Sequence, residues 1–259
     1  MVERGEDTSS MPENAVARKK GSATIATGER RRAHLWETAF KALAGLMAAL
    51  GLFTFASGLP GPGAASAAEA RTVRIVAFGD SLTAGYGLPA SAAFPVQLEA
   101  ALKAKGLDVS VENAGVSGET ASQGLARLDW SIREGTDAVI VELGANDMLR
   151  GLNPATTRKA LTEIVQRLKG RGITVLLAGM KAAPNLGRPY QETFDAIFPE
   201  LAAAEGVLLY PFFLDGVAGE RALVQPDGLH PTAEGVRRIV SGILPKAEEL
   251  VAQVQAKGK

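Results

Sequence analysis

Ala138-Val139-Ile140-Val141-Glu142-Leu143-Gly144 and Thr174-Val175-Leu176-Leu177-Ala178-Gly179 are two short, almost wholly apolar stretches, each closed by a glycine. A strand with one face in water alternates polar and apolar residues, whereas a run apolar at nearly every position needs cover on both faces, as in a parallel sheet flanked by helices. Working outward, similar β-branched runs recur at Val73 to Phe78, Val109 to Asn113 and Val207 to Tyr210. The longer amphipathic segments between and after them predict helices over Phe94 to Lys105, Ala121 to Arg133, Thr157 to Lys169, Tyr190 to Ala204 and Ala233 to Val254. Gly106, Gly135, Gly170 and Gly206 stand where the first four of these should end, and are expected as left-handed caps. Strand and helix alternate from Thr72 onward, which predicts one α/β domain, a three-layer αβα sandwich on a five-stranded parallel sheet. No internal repeat or linker divides it.

Composition narrows the chemistry. The 259 residues are 46% apolar and 22% charged, within the ordinary globular range. Lys and Arg number 28 against 28 Asp and Glu, so no overall basic field draws the chain to nucleic acid or anionic lipid. There is no cysteine, which removes a disulfide framework, a thiolate nucleophile and a Cys-ligated metal together.

The first segment differs from the rest. Basic clusters at Arg18-Lys19-Lys20 and Arg30-Arg31-Arg32 precede an apolar run from Ala42 to Phe55, and small residues follow, with Ala65-Ser66-Ala67 as a cleavage site. These are the three parts of a secretory signal peptide, so residues 1–67 are expected to be an N-terminal arm and leader, and residues 68–259 the exported, periplasmic domain. The apolar run is shorter than the roughly 20 residues of a spanning helix, although an uncleaved anchor is the alternative. Loss of the leader removes eight basic and six acidic side chains and leaves a domain two charges negative.

In open parallel sheets, ligands bind beyond the carboxyl ends of the strands. The first three strands deliver Gly79-Asp80-Ser81, Asn113-Ala114-Gly115 and Gly144-Ala145-Asn146-Asp147 to that edge, while Asp227 and His230 precede the last helix. A serine hydroxyl is a poor nucleophile until a base takes its proton, and His230 is the one histidine outside the leader, His34 lying within it. Asp227, three residues earlier, is spaced to accept the Nδ1 proton and aim Nε2 at Ser81. The backbone N–H groups of Ser81 and Gly115 and the side-chain amide of Asn146 make a three-donor oxyanion hole, in which each donor is worth roughly 3 kcal/mol in the transition state. Asp80, a chain neighbour of Ser81, is read as structural in the turn, and Asp147 as a cap or turn residue after the third strand.

Four blocks carry a resemblance: Gly79-Asp80-Ser81-Leu82, Asn113-Ala114-Gly115, Gly144-Ala145-Asn146-Asp147 and Asp227-Gly228-Leu229-His230-Pro231 resemble, in order, the signature blocks of SGNH (GDSL-like) hydrolases. Ser81-Leu82-Thr83-Ala84-Gly85-Tyr86-Gly87 and Val116-Ser117-Gly118-Glu119-Thr120 bring the chain nearest to the periplasmic thioesterase I, lysophospholipase L1 and arylesterase branch. The resemblance covers almost all of Thr72 to Val251. It implies a flavodoxin-like sheet of strand order 2-1-3-4-5 and hydrolysis of acyl esters, thioesters or lysophospholipids through an acyl-enzyme, without cofactor or metal.

The loops Leu149 to Pro154 and Pro184 to Pro189 overhang this edge and bring Leu149, Leu152 and Leu186, either as an apolar lid for an acyl chain or as ordinary loop packing. The expected partner is a small-molecule acyl ester or thioester bound by a monomer, with no nucleic acid and no stable membrane insertion after cleavage. Two other readings stand beside this one: a carbohydrate O-acetyl esterase, and an exported lipid-binding protein without turnover. A metallohydrolase is disfavoured, because one histidine and no cysteine supply few preferred ligands.

Overall fold

The computed structural model describes residues 71–258; the expected leader and its cleavage site lie outside the described residues. Five parallel strands form one sheet: β1 (Val73–Gly79), β2 (Val109–Gly115), β3 (Ala138–Glu142), β4 (Thr174–Ala178) and β5 (Leu208–Tyr210). Their spatial order is β2-β1-β3-β4-β5, as the family resemblance implied. β3 and β4 are buried at every position, so the apolar runs are strands covered on both faces.

Among the described residues, eight α-helices accompany the sheet: α1 (Ser81–Ala84), α2 (Phe94–Ala104), α3 (Ala121–Ser131), α4 (Ala145–Leu149), α5 (Pro154–Gly170), α6 (Arg188–Asp195), α7 (Ile197–Glu205) and α8 (Ala233–Lys257). α2 packs with α8 on one face; α3, α5 and α7 form the opposite layer. The core between the layers is built of fully buried side chains such as Phe78, Phe94, Leu98, Ile140, Phe198 and Phe213. Among the described residues, no helix is long and apolar enough to cross a membrane.

Three sequence expectations need adjustment. The helix expected over Tyr190 to Ala204 is two, α6 and α7, broken at Ala196. Pro199 has no N–H to give the Asp195 carbonyl four residues earlier, and its ring crowds that oxygen, so the helical ladder is interrupted there. Two expected glycine caps differ: Gly170 ends α5 within the helix, the left-handed residue being Gly172 with φ +77°, and Gly135, left-handed at φ +78°, lies beyond α3, whose cap is Ile132. Finally, α5 begins at Pro154 rather than Thr157, because the Asn153 side chain accepts from the Ala155 N–H and proline suits the first turn.

This topology decides where a site can form. The chain leaves β1 for β2 on one side and later adds β3 on the other, so the carboxyl ends of β1 and β3 flank the point where the winding reverses, leaving a crevice. Gly79 pairs with Glu142 at the end of that register, and Ser81 and Asn146 follow directly from the two strands.

Candidate active site

Ser81 opens α1, and its position is set by its neighbours. Asp80 caps the helix by accepting the Leu82 N–H (3.0 Å), while Gly85, with φ +83°, ends it after one turn. Gly115, at the end of β2, lies so close behind α1 that a Cβ there would stand 2.3 Å from the Ala84 amide nitrogen. Only glycine permits that approach.

His230 and Asp227 arrive on a tight hairpin. Leu223 to Gln225 run antiparallel to His230 to Thr232, joined by hydrogen bonds from Gln225 N–H to His230 O (2.7 Å) and from Thr232 N–H to Leu223 O (2.9 Å). Between them, Asp227 folds back on the chain: Oδ1 accepts the amides of Leu229 (2.9 Å) and His230 (3.0 Å), leaving Oδ2 for the ring. The Leu229 amide first, then the His230 ring and amide, lower the Asp227 pKa to about 2.

The sequence-predicted trio forms one hydrogen-bonded chain. His230 Nδ1 lies 2.7 Å from Asp227 Oδ2, and His230 Nε2 lies 2.8 Å from Ser81 Oγ, across 149 residues of sequence. The Tyr86 ring leans over the imidazole, with centroids 4.6 Å apart and an interplanar angle of 37°.

Two of the three expected oxyanion donors, Asn146 and Gly115, hold protein acceptors. One Asn146 Nδ2 hydrogen goes to Asp80 Oδ2 (3.0 Å), leaving the second for a ligand. The Gly115 N–H donates to Asn113 Oδ1 (3.0 Å), and Asn113 Nδ2 in turn donates to the Ala84 carbonyl (3.3 Å). Asp80 is structural, as expected, and burial pushes its pKa up to about 6 against the lowering effect of its Leu82 and Asn146 hydrogen bonds. Asp147 does more than shape its own turn. Fully buried, it accepts the Ala121 N–H at the start of α3 (2.8 Å) and the Thr157 hydroxyl of α5 (2.9 Å), so it ties two helices to the Asn146 loop.

A cavity of about 720 Å³ opens at Ser81 and His230, and its wall includes Met148, Met180, Phe212, Leu214 and Val217. Leu149 lines it; Leu152 and Leu186 do not. The Leu152 carbonyl instead accepts the Tyr190 hydroxyl (2.9 Å), and Leu186, in a short helical turn at Pro184–Leu186, packs against the core.

Two buried ionisable side chains behind Ser81 escaped the sequence reading. Glu142 is fully buried, accepts the Thr83 hydroxyl at Oε2 (2.8 Å) and has no partner at Oε1; burial, then the Asp80 charge, raise its pKa well above the ordinary range. Arg127 lies over the Phe78 ring, 4.2 Å from its centroid, and donates to the Gly79 carbonyl (3.0 Å) and to Glu119 (2.5 Å). A carboxylate inside Val139-Ile140-Val141-Glu142-Leu143 is a signal visible in sequence; nothing local marks Arg127.

The chain is similar to known hydrolases over this same region. The family model described as GDSL-like Lipase/Acylhydrolase matches residues 77–238. The arylesterase of Vibrio mimicus is 38% identical over 187 residues, covering 72% of this chain and 92% of that protein. The thioesterase 1/protease 1/lysophospholipase L1 of Escherichia coli K12 is 40% identical over 186 residues, 71% of this chain and 87% of that protein. The crystal structure of TesA superposes with a TM-score of 0.66 at 37% identity, covering 68% of this chain and 99% of that one.

Proposed function

Because the chain belongs to the GDSL-like lipase/acylhydrolase family and is an ester-hydrolysing enzyme, we propose that Ser81, His230 and Asp227 carry the reaction through a covalent acyl-enzyme. The observation that supports this most directly is the unbroken relay from Asp227 Oδ2 through His230 to Ser81 Oγ, at 2.7 and 2.8 Å. His230 Nε2 takes the Ser81 proton as Oγ bonds to the substrate carbonyl carbon, and the carbonyl oxygen becomes negative. The Ser81 and Gly115 amides and the second Asn146 hydrogen stabilise that charge; the single Gly115 hydrogen must turn from, or be shared with, Asn113 Oδ1. Collapse breaks the bond to the leaving oxygen or sulfur, which takes the proton from His230. Water then attacks the Ser81 ester with the same base, and the acid departs. Asp227, ionised throughout, holds the Nδ1 proton and steadies the imidazolium.

We propose aryl esters, acyl thioesters or lysophospholipids as substrates, since the cavity beside Ser81 is walled largely by apolar side chains and the relatives are an arylesterase and a thioesterase 1/protease 1/lysophospholipase L1. The enzyme is proposed to work as an exported monomer; N-terminal sequencing of envelope material tests the leader and sedimentation the monomer. The decisive experiment joins fluorophosphonate labelling to a chain-length series of p-nitrophenyl esters. An adduct on Ser81, loss of turnover in Ser81→Ala and acceptance of medium chains are expected. Hydrolysis of acetate alone would favour the O-acetyl esterase, and a folded protein that takes no label would favour the lipid-binding protein.

A further inference from the structure

A single side chain, Gln225, bridges the hairpin that bears His230 and the segment that bears Ser81. Its Nε2 donates one hydrogen to the Tyr86 carbonyl (2.8 Å) and the other to the Pro231 carbonyl (2.9 Å). Tyr86 closes the turn that begins at Ser81, for its N–H and that of Gly85 both donate to the Ser81 carbonyl (3.1 Å each). Pro231 follows His230 directly, and the Gln225 N–H also donates to the His230 carbonyl (2.7 Å). Gln225 and Tyr86 are 139 residues apart, so no local chain geometry holds the two segments in place.

The chemistry of this position is demanding. Two carbonyls face one point, and the group between them must donate twice without carrying charge. A glutamate would oppose oxygen to oxygen; a methionine of similar length would donate nothing. Gly87 adds a second, independent observation: it has φ +73°, and a Cβ there would lie 2.4 Å from Gln225 Oε1. A side chain at residue 87 would displace the Gln225 amide from its place.

We infer that Gln225 is a positioning residue of the acyl-transfer reaction, a clasp between the two segments that sets the approach of His230 Nε2 to Ser81 Oγ. The inference rests on the reading of Ser81 and His230 as nucleophile and base. It acts through the backbone of their neighbours, and Gln225 itself touches no reacting atom. The Tyr86 ring over the imidazole belongs to the same junction, because the Tyr86 carbonyl is what the clasp holds.

The test uses the full chain and its Gln225→Met, Gln225→Glu, Gly87→Ala and Ser81→Ala variants. Turnover of a p-nitrophenyl ester is normalised to the sites that a fluorophosphonate labels at completion, and the labelling rate constant is measured separately. A merely structural role would reduce the number of competent sites and leave the rate per site unmoved. A clasp sets that rate, and a misplacement of about 1 Å lowers it by about a hundredfold. The expected result is a fall of that order in kcat per labelled site and in the labelling rate constant for both Gln225 variants, with KM little changed. Gly87→Ala, which crowds the glutamine and also strains a backbone held at φ +73°, falls in the same direction.

Parental rates per site in Gln225→Met would overturn the clasp; if the Gln225 variants do not fold, parental rates in Gly87→Ala overturn it instead. A measurement on the unsubstituted protein needs no variant: both Gln225 side-chain amide protons should exchange with solvent more slowly than those of the exposed Gln253, and equal exchange also overturns the proposal. Undiminished turnover in Ser81→Ala would instead remove the underlying reading. An inactive Ser81→Ala beside fully active Gln225→Met removes the clasp alone.

Discussion

The Asn146 side-chain amide donates to Asp80 Oδ2 across 3.0 Å, joining the loop after β3 to the residue that precedes Ser81. The elements α2, β2, α3 and β3 separate Ser81 from Asn146 in sequence, and this bond sets the amide beside Ser81 before any substrate arrives. Asp80 can do so because both of its oxygens accept, Oδ1 from Leu82 and Oδ2 from Asn146.

Asp80→Asn is therefore expected to impair catalysis although it changes only one atom. An asparagine has one accepting oxygen, so either the α1 cap or the Asn146 anchor is lost. A loosened oxyanion donor acts in the transition state rather than in substrate binding, so kcat should fall by about tenfold while KM stays near its parental value. Steady-state kinetics on a p-nitrophenyl ester decide it, and an unchanged kcat would contradict the role given to this bond.

Glu142 makes stability depend on pH. Its carboxyl binds a proton more tightly in the folded protein than in the unfolded chain, so the folded state holds more protons between the two pKa values and unfolding free energy falls as pH rises through that interval. Asp80, raised to about 6, contributes a slope of the same sign. Glu142→Gln removes the larger titration, so its melting temperature should gain on that of the parent between about pH 5 and about pH 8. Parallel curves across that range would show that Glu142 does not titrate as described.

Arg127 supports the end of β1. Truncation to alanine leaves the Gly79 carbonyl and the Glu119 carboxylate without their guanidinium, and because the Arg127–Glu119 pair is only partly buried the cost should fall at or below the low end for a buried pair, about 3 kcal/mol. Urea unfolding should show that loss, and Glu119→Leu combined with Arg127→Met should recover most of it. A double variant as unstable as Arg127→Ala would place the stabilisation elsewhere, in the Phe78 stack.

The cavity wall should set acyl length. Leu214→Trp fills space within it, so kcat/KM for a long-chain p-nitrophenyl ester should fall by about tenfold while the acetate ester stays within about twofold of the parent. An equal fall for both esters would mean that the chain does not lie against Leu214.

How much of this was legible in advance depended on the range of each interaction. β3 and β4 were readable because a strand covered on both faces writes its burial into every residue. The Asp227–His230 pair was readable because a three-residue spacing lets one carboxylate meet both the amide and the ring of the same histidine. The break between α6 and α7 had a local sign in Pro199, masked by an otherwise continuous amphipathic pattern. Leu152 and Leu186 stood open between lid and loop packing for another reason: loop leucines carry no periodicity, and only packing decides whether they face a cavity or the core. Glu142 was visible as a charge in an apolar run, but its partner Thr83 lies 59 residues away.

By itself, then, the amino-acid order determined the strand runs and most of the helical segments, and marked Ser81, His230 and Asp227 as candidate nucleophile, base and orienting acid, because these follow from side-chain type and from neighbours a few bonds apart. Tertiary structure alone decided that Ser81 meets His230, that Gln225 spans to Tyr86, that Asn146 is anchored by Asp80, and that a cavity opens beside them. Those contacts join residues from 66 to 149 positions apart, where backbone spacing carries no information. Sheet order and core packing bring the two ends of each contact to one place.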